Sequence, residues 1–387
     1  MRVLLLHNII NPHMTPAFEA LGSMAGIELR VAYFAASEGD RTWASETQEG
    51  FQADLLPGRV VNLFLAWDTF SFHFNPGLTR YLRRLPWDVL INTGWSSWSH
   101  WVAFRECRRQ RKPHVLWSGS TEHEVSWRRR LTAPLVRHMV RQSDGWASYG
   151  SASARYLQQM GARGPVRLAF HCTDNARFLR RYHEALPGRD ERLRSLGLAG
   201  KRVVLFVGRL VQRKGAEELL QAFLRLANQH PDAALLIVGD GPMRSRLEAA
   251  RSQAPGRIVL AGAAKFDDLA AWYQLGDVFV VPSHEEVWGL VINEACLAGL
   301  PVIATSCCGA AEDLVEEAVN GHLVPPGDID ALTRALDNLL ADPERARNMG
   351  EQSRRLVAKC SPENLALALA EACTDALRRR SRGRADP

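Results

Sequence analysis

No stretch of this 387-residue chain reaches the roughly 18 to 20 uninterrupted apolar residues that a membrane span needs. The longest apolar-rich run, Val287 to Ala304, carries Asn293, Glu294 and Pro301, and reads as helix, turn and buried strand. Cysteine is scarce: the seven (Cys107, Cys172, Cys296, Cys307, Cys308, Cys360, Cys373) are odd in number and show no CxxC spacing. Adjacent Cys307 and Cys308 cannot bridge each other without strain. Reduced thiols in the cytosol are therefore expected, not a disulfide framework or a zinc knuckle. There is no repeat of fixed period, no low-complexity segment apart from an Arg-rich tail, and no GxGxxG fingerprint. The opening MRVLLLHNIINPH has too short an apolar run for a secretory signal and reads as a first strand.

What the chain does have is a globular balance, 46% hydrophobic and 23% charged, at a length that usually divides into two domains. The net charge of +6 is patchy. Arg105, Arg108, Arg109, Arg111 and Lys112 form one cluster, Arg128 to Arg130 with Arg137 and Arg141 another, and Arg378 to Arg380, Arg382 and Arg384 a tail. Such runs are either solvated helix faces or surfaces that attract phosphates, nucleic acid or acidic lipid. No nucleic-acid motif accompanies them, so no nucleic-acid partner is expected. Peripheral contact with the inner face of an anionic membrane remains an alternative for an otherwise cytoplasmic protein.

The two halves differ in texture. Nine of the eleven tryptophans (Trp43, Trp67, Trp87, Trp95, Trp98, Trp101, Trp117, Trp127, Trp146) precede Gly150. The later half alternates short β-branched runs with Leu/Ala-rich helical segments. Strands are predicted at 202–207, 234–238, 258–260, 278–281, 302–304 and 322–324, with helices at 216–228, 243–251, 266–274, 290–298 and 329–340. The first half reads similarly, with strands at 3–6, 28–33, 60–63, 89–92, 115–117 and 146–149, and helices at 15–24, 97–108 and 152–160. The stretch 177–200 reads as the connection. Strand–helix alternation implies parallel sheets covered on both faces, with ligands beyond the carboxyl ends of the strands. The predicted domains are residues 1–180, completed by a C-terminal helix over 362–379, and residues 190–360.

Three segments of the later half carry candidate chemistry. In VLFVGRLVQRKG a strand ends at Val207, Gly208 permits a close turn, and Arg209 and Lys214 precede a helix start near Gly215. Two cations beside free N–H groups suit a diphosphate, although a lone Arg and Lys near a strand end are more often surface residues. In VPSHEEVWGLVINEA, Glu286 falls in a loop and Glu294 on the next helix. Carboxylates so placed can grip sugar or ribose hydroxyls, or be a capping acid and an exposed helical Glu. LLIVGDGP says only strand, turn and helix.

As a set, FVGRL…KG, LLIVGDGP, LAG at 260–262, DVFVVPS, EEVWGLVINEACLAGLPVIAT and NGHLVPPGD resemble family 4 of the retaining glycosyltransferases. The resemblance implies an α/β chain of GT-B fold, two Rossmann-like domains with parallel sheets facing each other across a cleft. It implies transfer of a hexosyl group from a nucleotide-diphosphate sugar to a glycan, lipid-linked or small-molecule acceptor, in polysaccharide, glycolipid or natural-product biosynthesis. Arg209 and Lys214 would neutralise the donor phosphates, Glu294 would hold the ribose, and Glu286 would contact the transferred sugar. The backbone from Trp288 through Gly289 to Leu290 would touch sugar or phosphate, with Gly208 lining the turn. The family's Gly and Phe after the first acid are Val287 and Trp288 here.

The same resemblance implies no cofactor and no metal. The one Asp-x-Asp triplet, Asp328-Ile329-Asp330, reads as capping acids. A nucleotide-sugar epimerase or phosphorylase of the same architecture, or a non-catalytic basic membrane-binding protein, are the alternatives. The first half departs from the family: Ser118 stands in the usual His slot, with Glu122 or His123 able to reach the same place or to serve as a capping region. A Gly-rich first loop is replaced by 8–16. Lone histidines such as His13 and His73 read as structural. Trp95, Trp98 and Trp101 read either as core aromatics or as an acceptor-stacking platform.

Overall fold

The computed structural model describes residues 1–37, 50–65, 68–124 and 127–385. Trp43 and Trp67 lie outside the described residues. The chain forms two units, one built from Met1–Asp174 with Cys360–Pro387, the other from Asn175–Lys359.

The first unit is a seven-stranded sheet. Its strands are β1 (Arg2–Ile9), β2 (Glu28–Ala35), β3 (Gln52–Leu55), β6 (Val89–Asn92), β7 (His114–Ser118), β8 (Gly145–Ser148) and β9 (Val166–Leu168). They run parallel in the order β3-β2-β1-β6-β7-β8-β9. The central strands are buried along their length, as a sheet covered on both faces requires. The edge strands β3 and β9 were not foreseen. QADL and VRL are short and partly exposed, so they lack the apolar run that marks a central strand.

The strand expected at 60–63 exists as β4 (Arg59–Leu65), but it leaves the main sheet. It pairs antiparallel with β5 (Asp68–Phe74), from Arg59↔Phe74 to Leu65↔Asp68. Asn75 anchors the base of this hairpin: its side-chain amide donates to the carbonyls of Phe34, Leu56 and Pro57. A Cβ on Gly58 would sit 2.2 Å from that amide nitrogen, so only glycine passes there.

The helix Trp127–Gln142 was missed because its arginines and Pro134 conceal a buried stripe of Val136, Met139 and Val140. The closing helix, expected to 379, runs from Pro362 to Ala385 and packs on the sheet of the first unit. The Ala372 carbonyl lies 2.6 Å from where a Gly145 Cβ would be.

The second unit is a six-stranded parallel sheet: β10 (Arg202–Val207), β11 (Ala233–Val238), β12 (Ile258–Gly262), β13 (Val278–Val281), β14 (Val302–Thr305) and β15 (Gly321–Val324). All six appear where the sequence predicts them, within two residues. Their order is β12-β11-β10-β13-β14-β15, so the winding direction reverses between β10 and β13. The helix Ala216–Leu226 buries Leu219, Leu220, Ala222, Phe223 and Leu226 against the sheet. Each such Leu or Phe contributes about 1.5–3 kcal/mol when fully buried. The segment 177–200, expected as a connection, is largely helical (Asn175–Ala185 and Arg189–Ser195) and belongs to this unit. Arg189 and Arg192 cap the carbonyls of Gln274 and Ala271, which explains its many charges. Asp328 accepts from the Ala331 N–H at 2.8 Å, a helix N-cap.

Candidate active site

In an open, doubly wound sheet, ligands bind outside the carboxyl ends of the strands where the winding reverses. In the second unit that point lies after β10 and β13. The two loops leaving these strands carry Gly208 to Lys214 and Ser283 to Gly289.

These loops are locked together. Gly215 has φ +70°, and a Cβ there would stand 1.9 Å from the Pro282 carbonyl oxygen. The His284 N–H donates to the Arg213 carbonyl at 2.8 Å, and the His284 ring is 2.8 Å from Glu218 Oε1. Across this junction Lys214 Nζ pairs with Glu286 Oε2, both side chains mostly buried. Thus the predicted phosphate cation and the predicted sugar carboxylate, 72 residues apart, meet at one point.

Gly208 continues the turn out of β10. Gly239 (φ +151°) follows β11, and its Cβ would lie 1.8 Å from the Gly208 carbonyl, so two backbones pass in contact. Arg209 is exposed at the end of β10. Trp288 is buried, its indole N–H donating to Asn293 Oδ1 at 2.9 Å. It is therefore a strut under the loop, not a stacking surface. Gly289 (φ +99°) caps the helix Leu290–Ala298, with its Cβ position 3.1 Å from Glu286 Cγ. The N–H groups of Gly289 and Leu290 donate to no group among the described residues, as expected for a helix start open to an acceptor.

Glu294 is buried, where the sequence alternative had it exposed on the helix. Burial raises its carboxyl to about 7, and the Tyr273 hydroxyl, donating to Oε2 at 2.7 Å, pulls the other way. Sequence reasoning missed Tyr273, since one aromatic in AAWYQLGD carries no signal of its own.

The loop after β14 supports the acidic loop from behind. The Gly309 N–H donates to the Glu286 carbonyl (3.1 Å) and the Ala310 N–H to the Trp288 carbonyl (2.9 Å). Thr305 Oγ1 and Cys307 Sγ both donate to the Ser283 carbonyl, at 2.6 and 3.0 Å. A hydrogen bond from Cys308 brings the Cys307 thiol down to about 7.

In the first unit the winding reverses between β1 and β6. Trp95 follows β6, in a loop that Thr93 ties to β1 by donating to the Leu6 carbonyl at 2.9 Å. Trp95 is half-buried and packs on core residues, with its ring 6.5 Å from that of Tyr156. Trp101 donates to the Trp95 carbonyl at 3.0 Å, and Trp98 lies over Phe74. Ser118 ends β7, buried, its hydroxyl accepting from the Ser120 N–H at 3.2 Å. Glu122 turns away to Arg155 (3.3 Å) and Gln159 (3.0 Å). Thr121 and Glu124 close the turn (2.9 Å), with His123 half-buried within it. Among the described residues no hydrogen bond or ring contact joins Ser118, Glu122 or His123 to Trp95. His13 is bonded to Thr173 at 2.8 Å and His73 to Ser97 at 3.1 Å.

A paired Lys–Glu thus stands at the reversal point of a Rossmann-like sheet, beside an open helix start, where sheets of this kind bind ligands. Residues 189–356, most of the second unit, match the family described as glycosyl transferases group 1. Over 249 residues the chain is 32% identical to a GDP-mannose-dependent alpha-(1-6)-phosphatidylinositol monomannoside mannosyltransferase of Mycolicibacterium smegmatis, covering 60% of this chain and 62% of that protein. It is 30% identical over 248 residues to an alpha-D-kanosaminyltransferase of Streptomyces kanamyceticus (62% of this chain, 63% of that one). These matches span less than two thirds of each relative's length. Among solved structures, Anabaena HepE in complex with UDP superposes with a TM-score of 0.72 at 17% identity, covering 97% of this chain and all of that one. Sucrose-phosphate synthase from Thermosynechococcus elongatus gives 0.68 at 22%, covering 96% and 98%. The fold is GT-B, as the motif set implied.

Proposed function

We propose that this chain is a retaining hexosyltransferase that takes its sugar from a nucleotide-diphosphate donor held by the second unit. The observation that carries the reading is the Lys214–Glu286 pair at the reversal point of the second sheet. Breaking the anomeric C–O bond builds positive charge on the sugar and negative charge on the departing diphosphate. Lys214 and Arg209 meet that negative charge, which is larger in the transition state than in the bound donor. The proposed reaction is therefore metal-independent. Glu286 orients a sugar hydroxyl, and the open N–H groups of Gly289 and Leu290 hold a phosphate or sugar oxygen. Glu294 accepts from the ribose.

The acceptor is assigned to the first unit, beside Trp95, because that residue follows β6 at the corresponding reversal point. Ser118 ends β7 and Glu122 and His123 follow it, one strand farther out. The acceptor classes proposed are a glycan, a lipid-linked sugar or a small molecule, with the enzyme in the cytoplasm or at the membrane's inner face. The kanosaminyl- and mannosyltransferase relatives support that range.

A thermal-shift panel of UDP-, GDP-, ADP- and dTDP-sugars tests the donor site. A true donor at about a hundred times its Kd adds about 2.7 kcal/mol of apparent stability. If no nucleotide sugar or nucleoside diphosphate shifts the melt, the reading fails. Retention is checked by the anomeric configuration of the first-formed product in NMR.

Tyr273→Phe tests the ribose carboxylate. The hydroxyl favours the charged form of Glu294, so its loss raises that carboxyl further above 7 and leaves it protonated at neutral pH. Nucleoside diphosphate binding, measured by calorimetry, should weaken about tenfold at neutral pH and recover as pH rises. A loss of equal size at every pH would assign Tyr273 a packing role only.

A further inference from the structure

We infer that the helix Trp127–Gln142 is a docking surface for an anionic phospholipid membrane. The inference goes beyond the catalytic reading and does not depend on it.

The helix buries one stripe, Val136, Met139 and Val140 with half-buried Ala133, against the first unit's core. Its other side is unusual. Leu131 and Leu135, one turn apart, are 69% and 59% exposed, the two most exposed large hydrophobic residues described. With His138 they form one outward stripe by helical spacing, and Arg130, Pro134, Arg137 and Arg141 form the stripe beside it. Arg130, Arg137 and Arg141 are exposed, and no carboxylate pairs with them among the described residues. The helix contains no Asp or Glu.

An isolated exposed leucine needs no explanation, but two stacked on one helix face beside three unpaired arginines form an amphipathic surface. The chemistry selects the partner. Arginines alone would suit any polyanion, including nucleic acid. Leucines at i and i+4 add nothing to a phosphodiester backbone, whereas at a bilayer surface they enter the acyl boundary while the neighbouring guanidiniums meet lipid phosphates. No helix among the described residues is long and apolar enough to cross a membrane, so contact of this kind is peripheral.

Flotation of the full chain with phosphatidylcholine vesicles, with and without phosphatidylglycerol, at low and high salt, tests the inference. Binding is expected only with phosphatidylglycerol and should weaken with salt. Leu131→Gln/Leu135→Gln should lower the partition coefficient at least about tenfold with an unchanged melting temperature, because both side chains already face solvent. Each of Arg130→Gln, Arg137→Gln and Arg141→Gln should cost about fivefold and flatten the salt dependence. Absence of binding to phosphatidylglycerol vesicles at low salt overturns the proposal. So does binding that neither set of variants alters, which would place the contact elsewhere. Retention of phosphatidylglycerol binding by the leucine variant, with loss in the arginine variants, would mark a general polyanion site and also overturn it.

Discussion

Lys214→Ala is expected to lower kcat for sugar transfer by about 10²–10³-fold, the usual cost of losing one preorganised charge at a developing anion. Donor affinity should fall by less, because the charge on the leaving diphosphate grows as the glycosidic bond breaks. The substitution also strips Glu286 of its partner, since Lys214 Nζ and Glu286 Oε2 form a mostly buried ion pair. The orphaned carboxylate adds a stability loss of about 1–3 kcal/mol, visible as a lowered melting temperature. Lys214→Arg keeps the charge but not the compact ammonium, and should recover only part of the rate. Initial rates with the donor identified by thermal shift, alongside melts of each variant, separate the two effects. Turnover within about threefold of the parent at matched folding would remove Lys214 from the reaction.

The first unit should lose stability steeply as the solution is acidified, and four histidines are the reason. His7, His73, His100 and His114 are all buried. Desolvation depresses His7 and His73 to about 4 and His100 and His114 to about 3. Burial keeps the rings neutral, and at His114 the hydrogen bonding requires it as well, since one ring nitrogen accepts. His7 Nδ1–H donates to the Ile9 carbonyl at 2.8 Å, and His100 Nδ1–H to Asn92 Oδ1 at 2.6 Å. The Asn92 amide then donates to His114 Nε2 at 3.2 Å, while His114 Nδ1–H donates to Ser143.

In the unfolded chain these imidazoles take up protons near pH 6.5. The stabilisation is therefore full above pH 6.5 and is lost progressively as pH falls toward 4. Each ring contributes about 1.4 kcal/mol per pH unit over that range. All four together would remove about 6 kcal/mol by one unit below 6.5, comparable to the whole stability of many domains. Asp144, raised by burial, works in the opposite direction, but only nearer its own carboxylate range.

Urea titrations followed by tryptophan fluorescence, which reports mainly the first unit, should show this between pH 7 and 5.5. His100→Gln should reduce the slope by one proton. A stability that stays level across that interval would refute the account.

The second unit was legible in the sequence because its central strands are buried on both faces. RVVLFV, AALLIV and VFVV therefore appear as near-continuous apolar runs, bounded by the glycines that the sharp turns require. The positions of Lys214 and Glu286 were legible for the same reason, since they leave adjacent strands β10 and β13. What remained hidden was either masked by charge or decided by tertiary contact. The helix Pro343–Val357 escaped notice because four arginines occupy its outer face and its buried stripe is built from small residues, Ala346, Gly350 and Ser353, with Met349 and Val357. β4 was read as part of the main sheet because only its pairing with β5 and the clamp at Asn75 lift it out. Tyr273 could be linked to Glu294 only in three dimensions.

The order of segments along the chain has a consequence for dissection. The second unit is one unbroken stretch, 175–359, whereas the first is completed by a helix that arrives only after that stretch ends. In topology the second unit is an insertion within the first. A gene fragment encoding the insertion alone contains every strand of its sheet. Truncation after Lys359 would instead strip the Pro362–Ala385 helix from Gly145 and its neighbours, uncovering a face of β8 that the native chain never shows to water.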